Sequence, residues 1–527
     1  MNDIALDSTH ASIVDAKHVA LRYIFILPTR WNDTSPLSLN DIHDVIDQSA
    51  DAAKYVDPIA SFYADVTIPV TTRRQLPVAA LTERLPEDGQ PTGPRVEIEI
   101  GPIEMEWERG LVRLFPTTIS ARFSDCITLF DSGHVVYAPA FLLEMDNAPA
   151  QAAHDVSAQY LTSLSSLVGS PGLTHLRDLN AMRLQIRFKF VGEGESRDLL
   201  TFVKHRLAFL CDERNKASVF AELIERVQAK GGWSRARRAR AARVGIADIS
   251  WDGLRSVSLE IIGAKRHGEI VKWCRDAVKG TMTVGVGQRA LAALGQNVLD
   301  VHNQDELEVV DSLLQASVSD EHALLVHPKL SVLYSRKSRS FTEMCDAIGG
   351  CPYVMLTNVV LAYNEYMLDQ SAQLIDQIKS GSRDPRRALG TTKTATLRED
   401  LKARERLFTN LTLNYLPNIF RYPAEKEMFE RMGEQRGLSQ RVAGYERFTR
   451  RLYELRQSDA DLAEREGTRI INRWLLALGI FQVTGLFLAA LALDEFRNGT
   501  VRDALWGGFG LFSVAGLAVA ATALWRR

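Results

Sequence analysis

The sequence predicts an α+β chain: a cytosolic mixed α/β domain, a long helical stalk, and a C-terminal two-helix transmembrane hairpin. Three observations carry that expectation. Trp474 to Leu493 and Ala504 to Trp525 contain no charged residue, and each meets the length of about 20 apolar residues that a bilayer core requires of a helix. Residues 353–473 show helical periodicity over most of their length. Residues 17–352 alternate strand and helix signals. The expected organisation is a flexible tail over 1–16, the α/β domain over 17–352, read as one domain or two subdomains, the helical hairpin and stalk over 353–473, and the spans over 474–525.

Composition sets outer limits. At 527 residues, 46% hydrophobic and 24% charged, the chain is long enough for two or three domains with buried cores. A net charge of -2 exerts no global pull toward nucleic acid or anionic lipid. Cys126, Cys211, Cys274, Cys345 and Cys351 are scattered and form no Cys-x-x-Cys pair. That usage suits a reducing cytosol rather than a disulfide scaffold or zinc ribbon. The opening MNDIALDSTHASIVDAKH has neither a basic start nor an apolar run, so no secretory signal is expected.

The first strong strand signal is His18 to Leu27, rich in aliphatic and aromatic residues and closed by Pro28. Leu39 to Val56 has helical spacing, with Asn40 as a cap and Pro58 just beyond. After the turn-rich 86–94, four strands follow: Arg95 to Ile100, Glu104 to Glu108, Leu111 to Leu114 and Thr118 to Phe123. RVEIEI and EMEW alternate apolar and charged residues, the pattern of a sheet with one wet face. Cys126 to Phe130 and Val135 to Ala138 form a hairpin around Asp131-Ser132-Gly133. The same three residues occur in aspartic-protease loops, but that chemistry needs a paired second carboxylate, and the chain has no second copy of the motif.

Further on, Ala148 to Val168 and Ser196 to Gln228 read as helices flanking a strand at Met182 to Val191. Ile246 to Ile262 reads as a strand pair turning at Trp251-Asp252-Gly253, and His267 to Val278 as helix. Thr283 to Ala290 has the form of a Gly-x-Gly-x-x-Ala turn, read as a helix start because its strand is short and no ribose-binding acid is placed. Asp305 to Ala316 is helical, and Ala323 to Ser335 is two strands separated at Pro328.

From Tyr353 the pattern becomes helical: Tyr353 to Lys379, then Thr392 to Leu416 with a near-heptad rhythm, then a third helix starting at Pro423. Leu438, Val442, Tyr445, Phe448 and Leu452 begin its apolar stripe. Run unbroken to Leu493, that helix would be roughly 100 Å long. Its glycines, Gly433, Gly437, Gly444 and Gly467, each disfavour helix by about 1 kcal/mol against Ala and mark where it would break.

Arg469 and Arg473 before the first span, with Arg526 and Arg527 after the second, place both termini on the cytoplasmic side of an inner, or cell, membrane crossed twice. Trp474, Trp506 and Trp525 sit at span ends, where indole favours the interface. This order of α/β body, helical hairpin, stalk entering a first span and second C-terminal span resembles the CorA magnesium-transporter family over the last third of the chain. The family's Gly-Met-Asn motif after the first span is replaced by Leu493-Asp494-Glu495-Phe496-Arg497-Asn498-Gly499, so magnesium selectivity does not carry over. The resemblance implies a homo-oligomer, a pentamer in that family, with the first span lining a pore.

Candidate site residues follow from that layout. Gln482 and Thr484 are the polar side chains within the first span, read either as pore-lining or as interhelical hydrogen-bonding groups. Asp494, Glu495 and Asn498 belong to the external loop. Arg235, Arg237, Arg238, Arg240 and Arg243 form the most basic stretch, suited to a phosphorylated ligand, nucleic acid or headgroups, or to a solvated surface. No Walker loop, His-Glu-x-x-His, Gly-x-Ser-x-Gly or metal-spaced Cys/His cluster occurs, so no enzyme is expected and no cofactor or metal is indicated. The functional expectation is a CorA-like oligomeric membrane channel or transporter gated by a cytosolic sensing domain. The alternative is a membrane-anchored, ligand- or nucleotide-sensing effector using the hairpin as anchor or membrane-disrupting element.

Overall fold

The computed structural model describes residues 18–27, 44, 55–56, 78–83, 94–107, 110–130, 134–144, 158–168, 176–211, 246–263, 322–326, 328–335, 351–381, 420, 423–448 and scattered positions up to 514. The chain divides into two compact units, Met1–Tyr445 and Glu446–Arg527.

The first unit is built on a sheet of thirteen strands among the described residues. Its central strand is β1 (His18–Ile26). On one edge β1 pairs antiparallel with β10 (Ala140–Glu144) over His18 to Arg22 and with β9 (Val135–Tyr137) over Phe25 and Ile26. The sheet therefore forks. One arm runs from β10 through β7 (Thr117–Ser124), β4 (Arg95–Ile100) and β11 (Ile186–Phe190) to β12 (Arg197–Asp198). The other runs from β9 through β8 (Cys126–Phe130) and β3 (Val78–Glu83) to β2 (Tyr55–Val56). On its far edge β1 pairs with β13 (Leu254–Ile262), which runs parallel to β15 (Leu330–Ser335), itself antiparallel to β14 (His322–Val326). β5 (Ile103–Trp107) and β6 (Gly110–Leu114) form a separate hairpin.

The period-two alternation of β1 sorts its side chains to two cores. Val19, Leu21, Tyr23 and Phe25 face a large core shared with α1 (Ala158–Ser165), α2 (Leu176–Gln185) and α3 (Leu199–Leu210). Phe123, Phe141, Phe188 and Phe202 make edge and tilted ring contacts at its centre, with centroids 5.1 to 6.0 Å apart. Fully burying each ring stabilises the fold by roughly 2–3 kcal/mol. Ile24 and Ile26 face the opposite core, where α4 (Pro352–Gly381) lays Met355, Leu356, Val359 and Tyr363 across the sheet. α5 (Pro423–Gln435) starts at proline, whose missing N–H costs nothing at a first helical position, and packs on α4.

Three corrections follow. The predicted long stalk is not found among the described residues. α4 is 30 residues long, but its first half is buried in the body rather than projecting from it. α5 stops at Gln435, and Gly437 takes φ +64°, a left-handed conformation that halts helix propagation. The apolar stripe from Leu438 belongs to a fresh helical segment described over 438–448.

The predicted transmembrane hairpin is also overturned. Among the described residues no helix is long and apolar enough to cross a membrane, which likewise removes the two-pass inner-membrane placement with both termini cytoplasmic. The second unit's described residues within 474–525 are helical.

The third correction is local. Ile246 to Ile262 is a helical turn, a short 3-10 turn at Trp251–Gly253 and one long strand, not a strand pair. Arg183 stacks on the Trp251 ring at 4.2 Å, and this anchors the turn that precedes β13.

Candidate functional site

Two polar features lie around α4, and both depend on how the sheet presents it. The first lies under its N-terminus. β13 alternates Ser256, Ser258 and Glu260 toward α4 with Val257, Leu259 and Ile261 toward the large core. Register sets Arg22 opposite Ser258 and Ala20 opposite Glu260, while Ser331 of β15 lies beside Ser258. All of these polar side chains are buried. The Cys351 backbone N–H, at the start of α4, donates to Glu260 Oε1 and Oε2 at 2.8 and 2.6 Å. Asn358 donates from Nδ2 to Ser331 Oγ at 3.0 Å and to the Val354 carbonyl at 2.9 Å. Arg22 donates to the Ala138 carbonyl at 2.9 Å.

Burial pushes the Glu260 carboxyl up to about 7, against the opposing pull of the Cys351 N–H and of Arg22. The helix N-terminus and Arg22 are what make a carboxylate tolerable there at all. Nearby, burial pushes His134 down to about 4, so it is neutral at pH 7, with its ring edge-on to Tyr363 and Tyr366. Cys126 Sγ lies 3.4 Å from Met355 Sδ.

The second feature is an elbow. α5 and the helical segment after Gly437 meet at an angle set by that residue's positive φ. Gly437 N–H bonds the Glu434 carbonyl at 2.8 Å, and Arg441 N–H bonds the Gly437 carbonyl at 3.0 Å. Inside the elbow, against α4, lies a cavity of about 170 Å³. Its inner surface comes from Asn364, Leu368, Gly433 and Leu438, all buried. Phe429 and Val442, half-buried, form the walls, and exposed Lys426, Glu430, Glu434 and Ser439 form the mouth. Asn364 is 3% exposed, and its carbonyl oxygen Oδ1 is buried without a hydrogen-bond partner. An orphaned buried acceptor is costly and infrequent in a folded protein.

Charge pairs pin the elbow to α4 and the sheet. Asp369 receives Arg255 Nη1 and Arg441 Nη2, each at 2.6 Å. Glu365 receives Arg436 Nη1 at 3.3 Å, and Arg436 Nε donates to the Pro328 carbonyl in the β14–β15 turn. Gln435 Nε2 donates to the Val326 carbonyl at 3.3 Å. The cavity is therefore held on one side by α4 and on the other by a helix pair that cannot swing freely.

A third polar group belongs to the fold. Asp125, between β7 and β8, receives Arg206 Nε and Nη2 at 2.8 and 2.6 Å and the Tyr137 hydroxyl. Among the described residues no cluster of His, Cys, Asp and Glu suits a metal ion.

Of the residues singled out from sequence, Gln482 is helical and exposed. Thr484, Asp494, Glu495, Asn498, and Arg235, Arg237, Arg238, Arg240 and Arg243 lie outside the described residues, as does the Gly-x-Gly-x-x-Ala turn. Sequence reasoning missed Asn364 and Glu260. Their signal was present: Thr357, Asn358 and Asn364 interrupt an otherwise apolar helix, while Ser256, Ser258 and Glu260 interrupt an apolar strand. Polar positions on two elements that are each buried imply that they meet. No protein-family model, curated protein or solved structure matches this chain.

Proposed function

We propose that the chain is a ligand-sensing protein that binds a small molecule in the elbow cavity between α4, α5 and the segment after Gly437. It acts by binding rather than by catalysis. The observation that carries this reading is the cavity itself, about 170 Å³ with Leu368, Phe429, Leu438 and Val442 in its lining, held against α4 by the ion pairs of Arg436 and Arg441. Small-molecule sites combine apolar walls with a few placed polar groups. The elbow's ion pairs keep the site preformed, which lowers the ordering cost of binding. The reading keeps the sensing role expected from sequence. It leaves out the channel, which needs spans that no described helix supplies.

Thermal unfolding across a set of ring-sized fragments tests it. Binding to the folded state raises Tm by mass action. Gly433 lines the cavity, and a β-carbon added there lies 3.9 Å from Leu361 Cδ2 and Leu438 Cδ1, an ordinary contact, so Gly433→Leu adds bulk to the cavity lining. Fragments should raise the Tm of the wild type and leave that of Gly433→Leu unchanged. Equal shifts in both proteins, or no shift in the wild type, would contradict the proposal.

A further inference from the structure

We infer that the elbow cavity takes a small amphipathic organic cation, a single-ring arylalkylamine with its ring among the apolar side chains and its ammonium at the mouth beside Glu434; the inference rests on the proposed ligand-sensing role of the cavity. Size sets the apolar part. A cavity of about 150 Å³ lined by aliphatic and aromatic side chains accepts benzene. This one measures about 170 Å³, which is room for one ring. Leu368, Leu438 and Val442 offer that ring aliphatic contact, and Phe429 offers a second aromatic ring.

The mouth sets the charge. Lys426, Phe429, Glu430, Gly433 and Glu434 all line the cavity from α5, and their spacing of three and four residues puts them on one face of that helix. Phe429 and Gly433 take its more buried positions, and the three charged residues are exposed. Lys426 Nζ meets Glu430 at 4.0 Å. Among the described residues the Glu434 carboxylate has no ion-pair or hydrogen-bond partner. The elbow arginines do not supply one, because Arg436 and Arg441 pair with Glu365 and Asp369 of α4 and neither lines the cavity. The lining therefore carries two carboxylates against one ammonium, all within reach of water. An amine ligand supplies the missing cation there, while a carboxylate ligand meets repulsion. The ligand's charge stays hydrated as its ring leaves water, so no ion is desolvated. The same hydration makes the charge selectivity modest.

Isothermal titration of the full chain with phenethylamine, phenethyl alcohol and hydrocinnamate tests the class. The three share a ring and a short tether, and at neutral pH they are cationic, neutral and anionic. The amine should bind about threefold more tightly than the alcohol, and the carboxylate about threefold more weakly, the value of one exposed charge contact. Added salt should narrow both differences by screening. Glu434→Gln, an exposed change of nearly the same shape, should bring the amine down to the alcohol and leave the alcohol unchanged. The alcohol or the carboxylate binding the wild type as tightly as the amine would overturn the cation class while leaving the cavity standing. An amine advantage that survives in Glu434→Gln would overturn the assignment of the ammonium to Glu434. Failure of all three to bind would remove the class and, together with no Tm shift by any fragment, the cavity reading as well.

Discussion

Glu260 of β13 accepts hydrogen bonds on both carboxyl oxygens from the backbone N–H of Cys351, at 2.8 and 2.6 Å, one residue before α4 begins. The sheet and its covering helix are thus joined at the helix N-terminus by a buried acid. Its protonation contributes to how stability varies with pH.

The sign follows from burial. The folded Glu260 carboxyl titrates at about 7, against about 4.3 in an unfolded chain. Between those values the folded state holds a proton that the unfolded state has lost. This group's contribution is therefore fully present below about pH 4.3, falls as pH rises, and is gone above about pH 7, a change on the order of 3 kcal/mol. Urea unfolding at about pH 5 and about pH 8 should show Glu260→Gln losing less stability across that interval than the wild type. Equal losses would mean that Glu260 is not the group titrating.

The Asp125 site makes a different prediction. Asp125 and Arg206 are both largely buried, with side chains 10% and 13% exposed. Arg206→Ala strands the carboxylate and should cost roughly 3 kcal/mol in chemical denaturation. Tyr137→Phe removes one donor and leaves Arg206 in place, so it should cost about 1 kcal/mol. Reversal of that order would contradict the assignment of Arg206 as the main partner.

Two glycines of the elbow should respond to alanine with opposite signs. Gly433 lies inside α5 with only ordinary contacts around an added β-carbon, so Gly433→Ala should stabilise by up to about 1 kcal/mol through helix propensity. Gly437 has φ +64°, so Gly437→Ala should destabilise by about 1 kcal/mol. Thermal unfolding of the two variants reads both.

Much of the sheet was legible because its signals are local. β4 and β8 fall on the residues expected from alternation and from an apolar run, and β14 and β15 divide around Pro328. α4 was legible from periodicity, but not its role, since a long apolar helix reads alike whether it projects as a stalk or lies across a sheet. The elbow was half-legible. Gly437 was marked as a breaking point, yet the stripe continuing from Leu438 looked like the same helix. The site was not legible. Leu438 joins Asn364 and Gly433 at one cavity only because Gly437 turns the chain back, and Glu260 meets Cys351 across 91 residues of sequence. The C-terminal runs have the composition of spans, but among the described residues no helix is long and apolar enough to cross a membrane.

The most direct test of the account is a methyl NMR titration of the full chain with the ring-sized fragments that raise its Tm. The methyl groups of Leu368, Leu438 and Val442, which line the cavity, should shift together and saturate, while those of Leu21 and Leu143 in the opposite core stay fixed. Shifts absent at the three cavity residues, or spread equally through both cores, would contradict a ligand site in the elbow.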